Sequence, residues 1–334
     1  EVFLGSPQAA AARAPLTQAQ ADQIAALNDA GRDDLVLCDR LGQDDRWQNL
    51  RKRMFRNFVF PDQLFEFLAK AQDVEGIVHM GAISSTTTRD GDAVMRDNFQ
   101  FSLGLLDLCA ARGIPLVYAS SAATYGDGSQ GFIDDLPFSG LRKLRPLNLY
   151  GWSKHQFDLV VAERRELGLP LPPRCVGLKF FNVFGPNEYH KGDMMSVVAR
   201  NHGIAATGGE VELFMSHRSD FADGGQRRDF VLVDDVADVV IWALTHGPAC
   251  GLLNVGTGQA TSFRDLIGAL FAALGREPRI AYVPMPEGLR DRYQYATEAP
   301  LGALRNAGYR KAFTPVPEAV ARYAGFLGAA DRYR

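Results

Sequence analysis

Short, nearly continuous apolar runs alternate with stretches of helical length through the first half of this chain, and that order limits its possible folds more than any other feature. Leu35-Val36-Leu37-Cys38 ends in Asp39, Gly76-Ile77-Val78-His79-Met80 in Gly81, and Pro115-Leu116-Val117-Tyr118 in Ser120 and Ser121. Cys175-Val176-Gly177-Leu178 leads into Phe180, Phe181 and Asn182, and Phe58-Val59-Phe60 is a weaker run. Helical patterns around 62–71, 92–111 and 149–167 separate most of them. Strands that are apolar throughout belong in a parallel sheet covered on both faces. Right-handed crossovers then give a doubly wound α/β fold, which binds ligands beyond the carboxyl ends of its strands. Those ends here are polar or small: Asp39, Gly81, Ser121 and Asn182.

After Asn182 the character changes. Residues 185–228 are rich in Gly, Asp, Arg and His and only weakly periodic. Phe230-Val231-Leu232-Val233 and Leu252-Leu253-Asn254-Val255 are further strand candidates, and 262–275 and 315–328 are helical. We expect a dinucleotide-binding domain from residues 1–184 plus 229–257. A smaller substrate lobe would come from 185–228 plus 258–334. Asp39 closes the second strand, where an acidic side chain holds the adenosine ribose, and Arg40 beside it suits the 2′-phosphate of NADP, with NAD the other option.

Charge and cysteine usage exclude other classes. The net charge of −3 speaks against nucleic acid as a partner, whose binders carry a strongly basic face. The basic run Arg51, Lys52, Arg53 and Arg56 is expected to be a solvated loop. Cys38, Cys109, Cys175 and Cys250 lie far apart in sequence and form no C-x-x-C pair, so free thiols in a reducing, cytoplasmic setting are expected. No apolar run reaches the ~18 residues of a membrane span, and no signal-peptide pattern opens the chain. The histidines show no metal-ligand spacing, so no metal is expected.

The strongest chemical pattern is Tyr150-Gly151-Trp152-Ser153-Lys154. Tyr and Lys at i and i+4 share a helix face. A nearby ammonium lowers a tyrosine pKa, so the phenol can take a proton from a sugar hydroxyl while hydride leaves the carbon. Ser121, at a strand end about thirty residues earlier, could bond the same substrate oxygen.

Ser121, Tyr150 and Lys154 resemble the triad of the extended short-chain dehydrogenase/reductases that modify nucleotide sugars. Ala119-Ser120-Ser121-Ala122-Ala123-Thr124-Tyr125-Gly126, Phe181-Asn182-Val183-Phe184-Gly185-Pro186 and Arg228-Asp229-Phe230-Val231 are similar to that branch as well. His79-Met80-Gly81-Ala82-Ile83-Ser84-Ser85-Thr86-Thr87, Glu188-Tyr189-His190-Lys191-Gly192 and Arg292-Tyr293-Gln294 resemble, more narrowly, the ADP-heptose 6-epimerase family. The resemblance runs from about Ile24 to Phe326.

It implies a Rossmann-like extended fold and an isomerase of lipopolysaccharide core heptose synthesis. NADP would oxidise the sixth carbon of ADP-heptose to a ketone and return hydride to the opposite face. By resemblance, Tyr150 and Lys191 are the two bases, with Ser121 and Lys154 assisting. Asn182, Asp193, Arg200, Phe214, Ser216, Arg228 and Tyr293 would contact substrate, Arg228 through a diphosphate. For Arg228 a surface pair with Asp229 is the plainer alternative, as an exposed loop lysine is for Lys191. Asp193 and Arg200 depart from the usual residues at their positions. The cofactor would meet Asp39, Arg40, Arg46, Met80, Gly81, Ala82, Ile83, Ser84, Asn98, Lys154, Val183 and Lys191. Homo-oligomers are also implied.

One part of the pattern breaks. Such folds open with a strand and a turn of several glycines, which let a helix N-terminus meet the pyrophosphate about 20 residues before the acidic ribose ligand. Counting back from Asp39 reaches 12–20, where there is no glycine. Val2-Phe3-Leu4-Gly5-Ser6 is a candidate first strand with one glycine, placed too early. Either the first strand and turn are atypical and the cofactor site is rebuilt, or a reading-frame slip has turned glycine codons into the Ala9-Ala10-Ala11-Ala12 run. Two rival functions follow: a UDP-sugar 4-epimerase, or a cofactor-deficient sugar-nucleotide binder. Dehydration is disfavoured, because Ala122 and Ala123 stand where dehydratases carry an Asp-Glu pair.

Overall fold

The computed structural model describes residues 2–5, 18–290 and 293–334, with backbone alone at 2–5, 18–20 and 289. Its strands in chain order are β1 (Val2–Gly5), β2 (Val36–Cys38), β3 (Asn57–Val59), β4 (Val74–His79), β5 (Leu116–Ser121), β6 (Cys175–Phe180), β7 (Asn182–Phe184), β8 (Val211–Phe214), β9 (Arg227–Leu232), β10 (Cys250–Val255), β11 (Ala260–Ser262) and β12 (Ile280–Val283). The helices are α1 (Gln18–Asp29), α2 (Leu64–Lys70), α3 (Gly91–Val94), α4 (Phe101–Arg112), α5 (Phe138–Leu141), α6 (Leu149–Leu167), α7 (Val197–Ala206), α8 (Val233–Thr245), α9 (Phe263–Ala273), α10 (Glu287–Arg290), α11 (Gly302–Asn306) and α12 (Val316–Gly328).

Seven strands form the main sheet in the order β10-β6-β5-β4-β1-β2-β3. Alternate residues of its strands feed two cores, as expected of a sheet buried on both faces. Val36, Cys38, Ile77, Leu116 and Tyr118 pack with Leu64 and Leu68 of α2, Leu105 and Cys109 of α4, and Phe157 and Val161 of α6. Leu35, Leu37, Val78, Val117 and Val176 pack with Ile24 of α1 and Val236, Val240 and Ala243 of α8. Burying a leucine such as Leu105 completely contributes roughly 2 kcal/mol.

One strand corrects the expectation of a parallel sheet. β2–β3, β4–β5, β5–β6 and β6–β10 are parallel, but β1 runs antiparallel to both β2 and β4. The facing backbone groups of β2 and β4 need partners, and a short apolar run supplies them in either direction. Gly5 pairs with Val74 at the amino end of β4. Helix α1 starts at the opposite edge, where Asn187, beyond β7, donates to Asp22 (3.1 Å). The proposed turn region at 12–17 lies outside the described residues, and 18–20 already belong to α1.

The smaller lobe holds a three-stranded sheet, β11-β9-β7, and a pair, β12-β8. Of residues 229–257, strand β9 therefore lies outside the main sheet, whereas β10 is in it and α8 packs against it. Phe184, Phe230 and Leu232 pack there with Val198 of α7, Leu266 and Phe271 of α9 and Val320 and Tyr323 of α12. The basic run is not simply solvated. Arg51 and Lys52 both pair with Asp331, and Lys52 also donates to the Tyr333 carbonyl. Cys175 and Cys250 sit opposite each other on β6 and β10, and all four cysteines are free thiols. Among the described residues no helix is long and apolar enough to cross a membrane.

Candidate active site

Two local features bring Ser121 and Tyr150 together. Asn148 caps α6, accepting from the Gly151 N–H at 2.8 Å, so the helix starts one residue before Tyr150. Gly151 then presses against the turn that follows Ser121. A Cβ there would lie 2.7 Å from the Ala123 carbonyl oxygen, so only glycine permits this approach. The Tyr150 phenol and the Ser121 hydroxyl face one cavity, and Lys154 is buried one turn further along α6.

The phenol itself departs from expectation. Its pKa lies above the ordinary tyrosine value: burial raises it, the nearby Ser121 hydroxyl opposes this, and the Asp158 carboxylate adds to the rise. Burial outweighs what spacing alone had suggested for the Tyr-Lys pair.

Ser121 and Tyr150 open onto a cavity of about 410 Å³ that Asn182, Arg228 and Tyr293 also line. Among the described residues that line it there is no carboxylate, and Arg228 is the one formal cation. Ala122 and Ala123 present methyl groups to it. The Arg228 guanidinium lies 5.0 Å from the Tyr293 ring centroid and 5.6 Å from that of Phe263, and burial lowers its pKa. It is not paired with Asp229. That buried carboxylate accepts from the N–H groups of Thr257, Gly258 and Ala299, which overturns the surface-pair alternative.

Sequence reasoning missed several cavity residues, Leu147, Asn148, Gln294 and Thr297 among them. Gln294 donates to the Gly126 carbonyl, and Thr297 is buried with a hydroxyl that has no hydrogen-bond partner among the described residues. Gln294 stood within a quoted motif, whereas nothing in the sequence singled out Thr297. Arg292 of that motif lies outside the described residues.

Other expected substrate contacts lie away from the cavity lining. Phe214 meets Tyr293 edge-on, centroids 6.4 Å apart, and so backs the wall. The Ser216 hydroxyl donates to the Arg218 carbonyl within its own loop. Asp193 and Arg200 are exposed, with the Arg200 guanidinium 3.5 Å from the Asp193 carbonyl oxygen. Lys191, in the turn Tyr189–Met194, is also absent from the lining. Its ammonium lies 3.7 Å from Glu188, and burial holds its pKa below the ordinary lysine value.

On the cofactor side, Asp39 is buried at the end of β2, accepting from the Arg40 N–H at 2.6 Å. Arg40 pairs with Asp62, and Arg46 with Asp44 at 2.6 Å. Met80, Gly81 and Ala82 are buried, Ile83 and Val183 half-buried, and Ser84 exposed. Asn98 is buried as well. Its buried amide accepts from the Ile83 N–H (2.8 Å) and donates to the Ile83 carbonyl (3.1 Å) and the Ser153 hydroxyl (3.0 Å). It therefore fixes the loop. Both amide atoms of buried Gln23, near the start of α1, have no partner among the described residues. Orphaned polar atoms at this edge fit a polar ligand there. The described residues thus fit the ribose and nicotinamide ends of a dinucleotide. Among them no cluster of side chains could hold a metal ion.

The chain matches the NAD dependent epimerase/dehydratase family over residues 23–256. It is 44% identical over 310 residues to the ADP-L-glycero-D-manno-heptose-6-epimerase of Nitratidesulfovibrio vulgaris strain Hildenborough, covering 91% of this chain and 94% of that one. Identity to the ADP-L-glycero-D-manno-heptose-6-epimerase of Fusobacterium nucleatum is 41% over 317 residues, covering 92% and 94%. The crystal structure of the Helicobacter pylori ADP-L-glycero-D-manno-heptose-6-epimerase shares the fold, with a TM-score of 0.76 at 22% identity over 97% of this chain and 98% of that one. The Thermotoga maritima UDP-glucose 4-epimerase does so with a TM-score of 0.74 at 20% identity over 95% and 97%.

Proposed function

The chain belongs to the NAD dependent epimerase/dehydratase family, and from that premise we propose that it inverts the sixth carbon of the sugar in ADP-D-glycero-D-manno-heptose, giving ADP-L-glycero-D-manno-heptose, with NAD(P) as cofactor. The observation that carries this reading is the cavity itself. Two hydroxyls, Ser121 and Tyr150, share it with a ring-flanked arginine, and no carboxylate is among the described residues that line it. A cavity of that kind accepts an anionic diphosphate and offers proton transfer to a sugar hydroxyl.

When bound, NAD(P) would supply reversible hydride chemistry at the sixth carbon. Asp39 would hold the adenosine ribose. Arg40 and Arg46 would turn from Asp62 and Asp44 to a 2′-phosphate, an exchange that costs little because exposed ion pairs contribute only about 0–1 kcal/mol. This favours NADP. Tyr150 takes the hydroxyl proton, Ser121 holds the same oxygen, and Lys154 lends positive charge beside them. Asn182 steadies the sugar and Arg228 the diphosphate, with Tyr293 against the guanidinium. Lys191 is the second base, and its lowered pKa suits a group that exchanges a proton. Ala122 and Ala123 leave no acid for water elimination.

The unbridged thiols suit a reducing cytoplasm, and we place the enzyme there. We also propose that it self-associates, which sedimentation measures directly. The deciding experiment for function is turnover of ADP-D-glycero-D-manno-heptose against UDP-galactose. Epimerisation of the first, abolished in Tyr150→Phe, is expected. Turnover of UDP-galactose alone would overturn the substrate, and the absence of bound or titratable NAD(P) would overturn the mechanism.

A further inference from the structure

Beneath the two hydroxyls lies a buried ion pair that the mechanism above does not use. The Lys179 ammonium on β6 and the Asp158 carboxylate on α6 are 2.6 Å apart, and neither side chain has any exposed surface. Asp158 also accepts from the Ser120 hydroxyl (2.7 Å) and the Tyr118 hydroxyl (3.2 Å), both on β5. Lys179 also donates to the Thr124 hydroxyl (2.7 Å) and lies 4.9 Å from the Tyr125 ring centroid. Thr124 in turn donates to the Ser121 carbonyl (2.7 Å). One cluster therefore ties together β5, the turn after Ser121, β6 and α6.

These are the elements that carry the reacting groups. Ser121 ends β5, and Tyr150, Lys154 and Asp158 follow at i, i+4 and i+8 along one face of α6. Asn182 lies three residues beyond Lys179. Folding stability gives no clear reason to keep such a pair. Two charges taken out of water pay desolvation that their attraction barely repays, and apolar replacements are often neutral or stabilising. What the pair does supply is fixed direction, since each charged group is held by several partners on different elements.

We propose that Lys179 and Asp158 are positioning residues that hold the Ser121 and Tyr150 hydroxyls in register for proton transfer. This rests on the epimerase reading for its kinetic test. It excludes contact between either side chain and the substrate, because neither reaches the cavity lining.

The double variant Lys179→Met with Asp158→Asn removes both charges and keeps an amide oxygen to accept from one of the Ser120 and Tyr118 hydroxyls, which bond different carboxylate oxygens in the parent. We expect kcat to fall at least 30-fold, with KM within twofold and the melting temperature within a few degrees of the parent. Lys179→Arg keeps the charge and should retain kcat within about fivefold. Thr124→Val removes the hydroxyl that joins Lys179 to the Ser121 carbonyl while leaving the ion pair, and should lower kcat about tenfold, with Thr124→Ser restoring it. Should the double variant not fold, this Thr124 series decides alone. Unchanged kcat in the folded variants, or equal losses in Lys179→Arg and the double variant, overturns the proposal. Crystal structures of Thr124→Val and the double variant give a readout that needs no substrate. A Ser121 or Tyr150 hydroxyl displaced from its place in the parent supports the proposal even if the parent proves inactive on ADP-heptose, and unmoved hydroxyls reject it.

Discussion

Removing the Thr297 hydroxyl while keeping the side chain's shape, as in Thr297→Val, leaves any substrate oxygen that faces it without a partner. Thr297 is buried in the cavity wall with no other use for that hydroxyl among the described residues. A hydrogen bond of this kind contributes about 0.5–1.5 kcal/mol, or up to roughly tenfold in affinity. Thr297→Val should therefore raise KM about five- to tenfold and leave kcat within about twofold, while Thr297→Ser behaves as the parent. Steady-state kinetics check this, and an unchanged KM would remove Thr297 from the binding surface. At this scale the sequence was informative where chemistry follows local spacing. Tyr150 and Lys154 are one helical turn apart, so their shared face could be read directly. Thr297 belongs to no pattern, because its role comes from burial and a missing partner. The raised Tyr150 pKa and the carboxylate of Asp229, turned away from Arg228, are likewise set by neighbours remote in sequence.

The helical stretch from α3 to α4 contains a π-turn, Met95–Gln100, and Asn98 lies inside it. Such turns often mark functional positions, because the extra residue redirects a side chain that a regular helix would aim elsewhere. Here Asn98 reaches the backbone of Ile83 and the hydroxyl of Ser153 on α6. Asn98→Ala leaves these groups without their partner at a cost of about 1–3 kcal/mol. We expect a melting temperature lower by several degrees and weaker NADP binding, since the 81–84 loop loses its anchor. A thermal melt and a fluorescence titration of NADP test both, and unchanged NADP affinity would confine Asn98 to a structural role. The helical pattern at 92–111 was legible, but the π-turn was not, because side-chain periodicity does not register one extra backbone residue. Strand direction is similarly silent. Val2-Phe3-Leu4 pairs equally well either way, so β1 could be found as a strand but not oriented.

The doubly wound architecture was the most legible feature of the whole molecule, because strands buried on both faces leave continuous apolar runs. The smaller lobe was harder to divide, since strands as short as β7 and β11 carry no period of their own. Protonation is where the assembled molecule makes a measurable demand. His155 on α6 is buried, and desolvation lowers its pKa from 6.5 to about 4. His190 in the turn after β7 is lowered to about 4 in the same way, with the Lys191 and Arg46 charges adding to the effect. The unfolded chain thus binds more protons than the folded one between about 4 and 6.5, so stability rises with pH across that window and is lost on acidification. Buried carboxyls with raised pKa, Asp134 and Asp235 among them, act with the opposite sign. Their stabilisation is present at low pH and is lost as pH rises through their folded-state values. The raw curve mixes these contributions, and a difference between two chains separates them. His155→Gln keeps a polar side chain that does not titrate, so it should lose less stability than the parent between pH 7 and pH 5. Linkage puts the gap at about 2 kcal/mol at pH 5, or a few degrees in melting temperature. Parallel melting curves for the two chains across that range would mean that His155 is not held neutral in the fold.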